Sequence, residues 1–312
     1  MAYYRNDPQY GYGNSGASGY GNQSNFRWGG LLIAALFAGF AVCKYYSSSE
    51  FNEITGEKQH IGNITKEQEM MMGLQSAPSM AQEYGGLYPD EKAQAYVKQV
   101  GQRIVQNSDV KNEGYQFDFH LLADPNVVNA FALPGGQVFI TQALFGRLQN
   151  EDQLAGIFGH EITHVVARHG SQQMAQQALL KGVTGAAVIA AGDYSSSQGI
   201  QMIANMIGMK YGRSQESQSD EFGVKFMTQS GYDPRALIDV MHILDEASGG
   251  GQRQPEYLST HPNPEHRIED IKLWIEKYAH VNSVNQATSK SATPKTNDAP
   301  VIRLKNPNLN IK

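Results

Sequence analysis

The chain has 312 residues, 40% of them hydrophobic, and a net charge of −5 from 25 Lys+Arg against 30 Asp+Glu. No basic block stands out, which argues against nucleic acid as a partner. The single cysteine, Cys43, excludes an intrachain disulfide framework and a Cys-based structural zinc site, so any metal site must be built from His, Asp and Glu.

Residues 1–27 mix Gly, Asn, Ser and Tyr without apolar periodicity and read as a disordered, solvated tail. Residues 28–46, "WGGLLIAALFAGFAVCKYY", carry no charge up to Cys43 and are bracketed by Arg27 and Lys44. As a helix they span about 28 Å, enough for a bilayer core. A single uncleaved transmembrane anchor is expected, with a cleaved signal segment as the alternative. Arg5 and Arg27 precede the run, whereas Glu50, Glu53 and Glu57 follow it. That bias puts the N-terminus in the cytoplasm and the main domain outside it.

Residues 47–63 read as a polar linker, and 64–280 as one folded domain. Thr65-x-x-Gln68 is a capping box that opens a helix. A second helix follows "YPDEK", with Ala93, Tyr96, Val97, Val100 and Ile104 on one stripe. "YQFDFHLLAD" alternates as a strand. So do "NVVNAFAL" and "GQVFIT", joined through Pro134-Gly135-Gly136 as a hairpin. After Asn150 the period returns to helix, with Leu154, Ile157, Phe158, Ile162, Val165 and Val166 as its apolar stripe. "GVTGAAVIAAG" and "GIQMIANMIGM" are too short to cross a bilayer and suggest a buried helical hairpin. "GYDPRALIDVMHIL" starts a helix at Asp233, with Pro234 at its first position. "HPNPEHRIEDIKLWIEKY" gives the last helix, and 281–312 read as a disordered tail. The class is α+β, mostly α, with a small sheet.

The chemistry sits in "FGHEITHVVARHG", residues 158–170. His160 and His164 are four apart, so on a helix both imidazoles face one point and suit Zn²⁺. Glu161 lies about 100° around the helix, beside the metal rather than under it, where it can take a proton from an activated water. A third histidine of an HExxHxxGxxH pattern is absent, because Ala167 and Gly170 stand at its two further positions. His169 is expected on roughly the opposite side of the helix, as a surface or supporting residue. The third ligand is sought in "RSQESQSDEFG", residues 213–223. There Glu216 can offer a carboxylate oxygen and Asp220, one turn on, can accept the N–H of a ligand histidine. Without the HExxH, the same stretch would read as a solvated acidic turn. Gly223 would let this helix approach the other closely.

These motifs resemble the gluzincin zinc metallopeptidase family forty-eight, which includes HtpX-type, type-I CAAX and BepA-like peptidases. The resemblance rests on "NAFALPGGQVFIT", "GHEITHVVARHG", "ESQSDEFG", "GYDP" and "STHPNPEHRI", in that order, over about residues 65–280. It implies a zincin-like fold, one Zn²⁺ held by His160, His164 and Glu216, Glu161 as general base, and polypeptide substrates. Long internal spans are missing, which places the chain with the soluble-domain branch and away from prenyl-protein processing. Asn129, Ala130, Phe131 and Ala132 are similar to the family's strand beside the active-site helix, where a substrate could add by β-pairing. His261 then either stabilises an oxyanion or fills zinc's fourth position at rest, and Arg267 orients the site or the substrate. Both are also ordinary residues for a helix start. The expected role is quality control of misfolded or unassembled envelope proteins. The rival is a non-catalytic or latent zinc-stabilised, chaperone-like binding module.

Overall fold

The computed structural model describes residues 28–183, 210–249, 255–261 and 266–290. The tail expected at 1–27, most of the apolar pair around 183–209 and the end of the C-terminal tail lie outside the described residues.

Helix α1 (Trp28–Ser47) packs against α6 (His169–Val183). Among the described residues no helix is long and apolar enough to cross a membrane, so the anchor expected at 28–46 is not shown. Where a polar linker was expected, β1 (Ser49–Asn52) and β2 (Glu57–His60) form an antiparallel hairpin. Asn52 explains part of it. Its carboxamide oxygen accepts the Ile54 and Thr55 N–H groups in the turn, and its amide donates to Gln59 across the pair.

Helix α2 (Lys66–Glu83) starts at the capping box, in which Thr65 and Gln68 satisfy each other's backbone N–H. Asp90 caps α3 (Glu91–Asn107) through the N–H groups of Lys92 and Ala93. The sheet has the order β3 (Asp118–Leu122), β5 (Gln137–Thr141), β4 (Ala130–Leu133). β5 lies in the centre, antiparallel to β4 through the expected hairpin and parallel to β3. Successive strand residues face opposite sides. Phe119, Leu121, Ala130, Ala132, Val138 and Ile140 join the larger core beneath α3 and α5. Phe131, Leu133 and Phe139 join a smaller core with α2 residues Met72 and Met80.

Contact between α3 and β3 depends on Gly101. A Cβ there would lie 2.4 Å from the Phe119 ring. Gly101→Ala is therefore expected to cost about 1–3 kcal/mol by overpacking, read as a lower urea midpoint with unchanged slope. A neutral result would show that the ring can move aside.

The short α4 (Gln142–Phe145) leads to α5 (Glu151–Val166), which Asn150 caps through Gln153 N–H. Glu151 and Asp152 suit the positive end of the helix dipole. All six residues of its predicted stripe are buried. Next come α7 (Arg213–Gln229), α8 (Ala236–Gly249), the short α9 (Glu256–Thr260) and α10 (Arg267–Lys290). The α8 helix begins at Ala236 rather than Asp233, because the intervening N–H groups reach back only three residues in a tight turn. α10 runs past the boundary at 280 where a tail was expected.

Candidate metal centre

α5 is the spine of the site and is buried from Gln153 to Val166. α7 crosses it closely because glycines meet. A Cβ on Gly223 would lie 3.2 Å from His160 N, and one on Gly159 would lie 3.1 Å from Gly223 O. This approach sets Glu216 and Asp220 against the two histidines, which lie on consecutive turns.

His160 Nε2 and His164 Nε2 are 3.0 Å apart. Each lies 3.6 Å from a Glu216 carboxylate oxygen. His261, the residue that ends α9, brings Nδ1 to 3.0 Å from Glu216 Oε1 and 3.3 Å from His160 Nε2. One donor atom from each of the four lies within 4.8 Å of the others, and all four residues are buried. Among the described residues Glu216 Oε2 accepts no hydrogen bond although it is buried. A tetrahedral zinc with arms of ~2.0–2.2 Å has ligand–ligand edges of ~3.3–3.6 Å. The donor set and its spacing therefore fit Zn²⁺.

The partners behind the cluster differ from one histidine to the other. His160 Nδ1 is 2.8 Å from Asp220 Oδ1. Arg267 donates to both Asp220 oxygens, at 2.6 and 2.8 Å, and its Nη1 lies 3.6 Å from Glu216 Oε2. Burial alone would push the Asp220 and Glu216 carboxyls up. For Asp220, Arg267 and His160 outweigh it and hold the group below its ordinary range. For Glu216, His261 leads that effect, with His160 and Arg267. Burial pulls His164 well below its usual value, and neighbouring His160 adds to this, so the imidazole stays neutral as a ligand must. His261 goes the other way. Burial lowers it, but Glu216 and Glu161 together raise it.

Glu161 is buried beside the cluster. The Ala132 backbone of β4 lies close enough to its carboxylate to favour the charged form. Its Oε1 has no hydrogen-bond partner and lies 3.7 Å from His261 Nε2. Burial pushes its pKa up, against the pull of His261 and His160.

β4 is the sheet's edge strand, yet all four of its residues are buried. Ala132 faces Glu161, whereas Phe131 points to the other core and stacks on Phe139. Ala130 lies in the larger core. Asn129 donates to Tyr84 Oη and Glu256 Oε1, and Tyr84 Oη also donates to Glu256 at 2.5 Å. The Tyr257 N–H donates to Val128 O. α9, which carries His261, is thus held against the start of β4. The cleft between β4 and His164 keeps about 10 Å³, the limit for a single water.

His169 takes the supporting role expected of it, but from another position, and four further residues join the site. His169 is buried, not on the far side of the helix, and its Nδ1 lies 2.9 Å from His164 Nδ1. α5 ends at Val166, and Arg168 takes φ +55, so the chain turns before α6 begins at His169. Gln218 meets the other side of His169. Tyr211 stacks near His164 with ring centroids 3.9 Å apart, and Tyr257 stacks on His261 at 4.4 Å. Glu256 anchors the helix before His261. Only "HPNPEHRI" and the distance from HExxH pointed to that region. Tyr211, Gln218, Glu256 and Tyr257 carry no spacing signal of their own.

A family model described as Peptidase family M48 matches residues 91–275. The mitochondrial metalloendopeptidase OMA1 of Schizosaccharomyces pombe is 28% identical over 254 residues, covering 80% of this chain and 72% of that protein. The beta-barrel assembly-enhancing protease of Yersinia pestis is 30% identical over 218 residues, covering 67% of this chain and 44% of that protein. Its Escherichia coli counterpart is 30% identical over 186 residues, covering 57% and 38%. The chain thus spans less than half the length of these two bacterial relatives.

Proposed function

The chain belongs to peptidase family M48, and from that premise we propose a zinc-dependent endopeptidase with His160, His164 and Glu216 as ligands and Glu161 as general base. One observation carries the reading. The Nε2 atoms of His160 and His164 converge on Glu216, while Glu161 is held beside them with one oxygen free. When bound, Zn²⁺ supplies a Lewis acid and lowers the pKa of a water toward ~7.

The protein's own groups do the rest. Glu161 Oε1, with no hydrogen-bond partner among the described residues, lies beside the ligand atoms, 3.7 Å from His261 Nε2. Glu161 takes the proton of the attacking water and returns it to the leaving amine. Its raised pKa suits both halves of that cycle. Asp220 accepts the Nδ1–H of His160 and leaves its Nε2 lone pair facing inward. Arg267 holds Asp220 in place. β4 is the edge to which an extended peptide would add, with Asn129, Ala130, Phe131 and Ala132 contributing backbone rather than side-chain selectivity.

The test is cleavage of unfolded casein by the full chain, with its zinc content measured alongside. Glu216→Ala is expected to lose both activity and tight zinc binding. Zinc held at unchanged affinity in that variant would sink the ligand assignment.

A second reading concerns the state of the site. His261 Nδ1 stands among the ligand atoms. Four protein ligands close a zinc site, whereas catalysis keeps one position open. On this reading the site is latent, and His261 must withdraw before a peptide enters. His261→Ala should raise casein cleavage by ~10-fold or more if the closed state dominates. A fall in activity would instead favour the oxyanion role. The intact Glu161 favours an enzyme over a purely chaperone-like module.

The substrates we propose are misfolded or unassembled proteins of the bacterial envelope, reached from the membrane surface. Support comes from the uncharged run at 28–43 and from relatives named for β-barrel assembly. Membrane fractionation of the full chain, with and without residues 1–46, tests the placement. Recovery of both forms in the soluble fraction would overturn it.

A further inference from the structure

The second ligand histidine has an unusual support. His164 turns Nε2 toward the cluster and Nδ1 toward His169 Nδ1, 2.9 Å away. On its other side, His169 Nε2 lies 2.9 Å from Gln218 Oε1. The Gln218 amide donates to Glu57 Oε2 of β2 at 3.0 Å.

The protons in this row can be placed from its outer end. A carboxylate only accepts, so Gln218 must present its NH₂ to Glu57 and its carbonyl to His169. A carbonyl also only accepts, so His169 carries its proton on Nε2. Its Nδ1 is then a lone pair, and the one donor facing it is His164 Nδ1–H. That leaves the Nε2 lone pair of His164 pointing at the cluster, which is the tautomer a metal ligand needs. In the opposite order, two N–H groups would face each other or two lone pairs would.

The local backbone makes the contact possible. On an unbroken helix, residues five apart lie about 140° from one another. The left-handed turn at Arg168 removes that separation. The Arg168 guanidinium is buried and donates to Glu69 at 3.0 Å, to Glu50 at 2.9 Å and to the Ile64 carbonyl. Asn52 of β1 donates to Val166 O at 2.7 Å, capping the end of α5. The β1–β2 hairpin therefore holds both the helix end and the far end of the row.

We propose that His169 is a positioning residue of the metal centre, fixing the His164 tautomer and tying it through Gln218 and Glu57 to the β1–β2 hairpin. The proposal rests on the zinc-peptidase reading above. The hairpin joins α1 to the catalytic domain, so its seating bears on the metal ligand directly.

The test uses the full chain, stripped of metal and titrated with Zn²⁺ against a competing chelator, with thermal unfolding of the metal-free form as a control. His169→Leu removes the acceptor and is expected to weaken Zn²⁺ binding by roughly 10–100-fold. His169→Asn places Oδ1 where Nδ1 stood, and its affinity should stay near wild type. A purely structural role would lower the unfolding temperature of both variants and leave their zinc affinities alike. Leucine and wild-type forms with equal affinity, or an asparagine form as weak as the leucine form, would overturn the proposal. If the leucine form does not fold, Gln218→Leu decides, because it strips the acceptor from the more accessible end. Weaker Zn²⁺ binding supports the row, and unchanged binding overturns it. Wild-type protein that takes up no Zn²⁺ sinks the peptidase reading itself. Wild type that binds while every His169 and Gln218 variant matches it sinks only this proposal.

Discussion

Glu161→Gln should cut casein cleavage by roughly 10²–10⁴-fold while zinc content stays at the wild-type level. The substitution is nearly isosteric. Its carboxamide fills the same buried space beside the Ala132 backbone. What it loses is the ability to take up and return a proton. Because Glu161 is not among the four residues that converge on the cluster, metal affinity should not follow activity down. Equal activity in the two proteins would remove Glu161 from the mechanism, and parallel loss of zinc would make it a ligand. The pH profile gives an independent check. Burial raises the Glu161 pKa above its ordinary 4.5. A base works only when deprotonated, so kcat/KM should rise with pH through an acid limb that Glu161→Gln removes. An acid limb that survives unchanged in Glu161→Gln would belong to another group.

Much of this site could be read in the sequence, for physical reasons that differ from part to part. His160, Glu161 and His164 depend on helical period alone, and α5 is long, capped and apolar on the predicted stripe. Glu216 and Asp220 needed one further inference, that a second helix carries the missing carboxylate. Gly223 supplied a reason why the two helices could touch, and the glycine contact is indeed where α5 and α7 meet. The position of His169, though not its supporting role, departs from expectation for an equally local reason. The periodicity argument assumes an unbroken helix, whereas Arg168 turns left-handed within a set of ion pairs from α2 and β1. Those partners lie about a hundred residues earlier in the chain, so no window around the motif contains them. The hairpin at 49–60 was hidden in the same way. Its strands are short and polar, and Asn52 is fixed partly by Val166 O from α5. The approach of His261 rests on Tyr84, Asn129 and Val128 holding α9, which are again distant contacts. Helix content and motif chemistry are local, but closure of the site is not.

Arg267→Met is expected to be the most destabilising single change near the site, by about 3–5 kcal/mol. Arg267 is buried and donates to both oxygens of Asp220, with Glu216 3.6 Å away. Methionine fills much of the same volume but leaves two buried carboxylates with less positive charge between them. His160 remains against Asp220, and His261 against Glu216, so the loss falls short of a fully uncompensated pair. The pH dependence distinguishes this from simple repacking. In the metal-free wild type the Asp220 pKa is depressed below its ordinary 3.8, chiefly by Arg267 acting against burial. A depressed carboxylate contributes stability that is present above its unfolded-state pKa and lost as pH falls through its folded one. Without Arg267 that contribution shrinks or reverses. The gap in unfolding free energy between wild type and variant should therefore be widest near neutral pH and narrow below about pH 4. Urea unfolding of both metal-free proteins across that range measures it. A gap under about 1 kcal/mol, the scale of exposed pairs, or one that does not narrow in acid, would mean that Arg267 acts by packing and not by charge. If charge is the cause, adding Asp220→Leu to the Arg267→Met protein should recover part of the loss, since the buried carboxylate left without its guanidinium is removed as well.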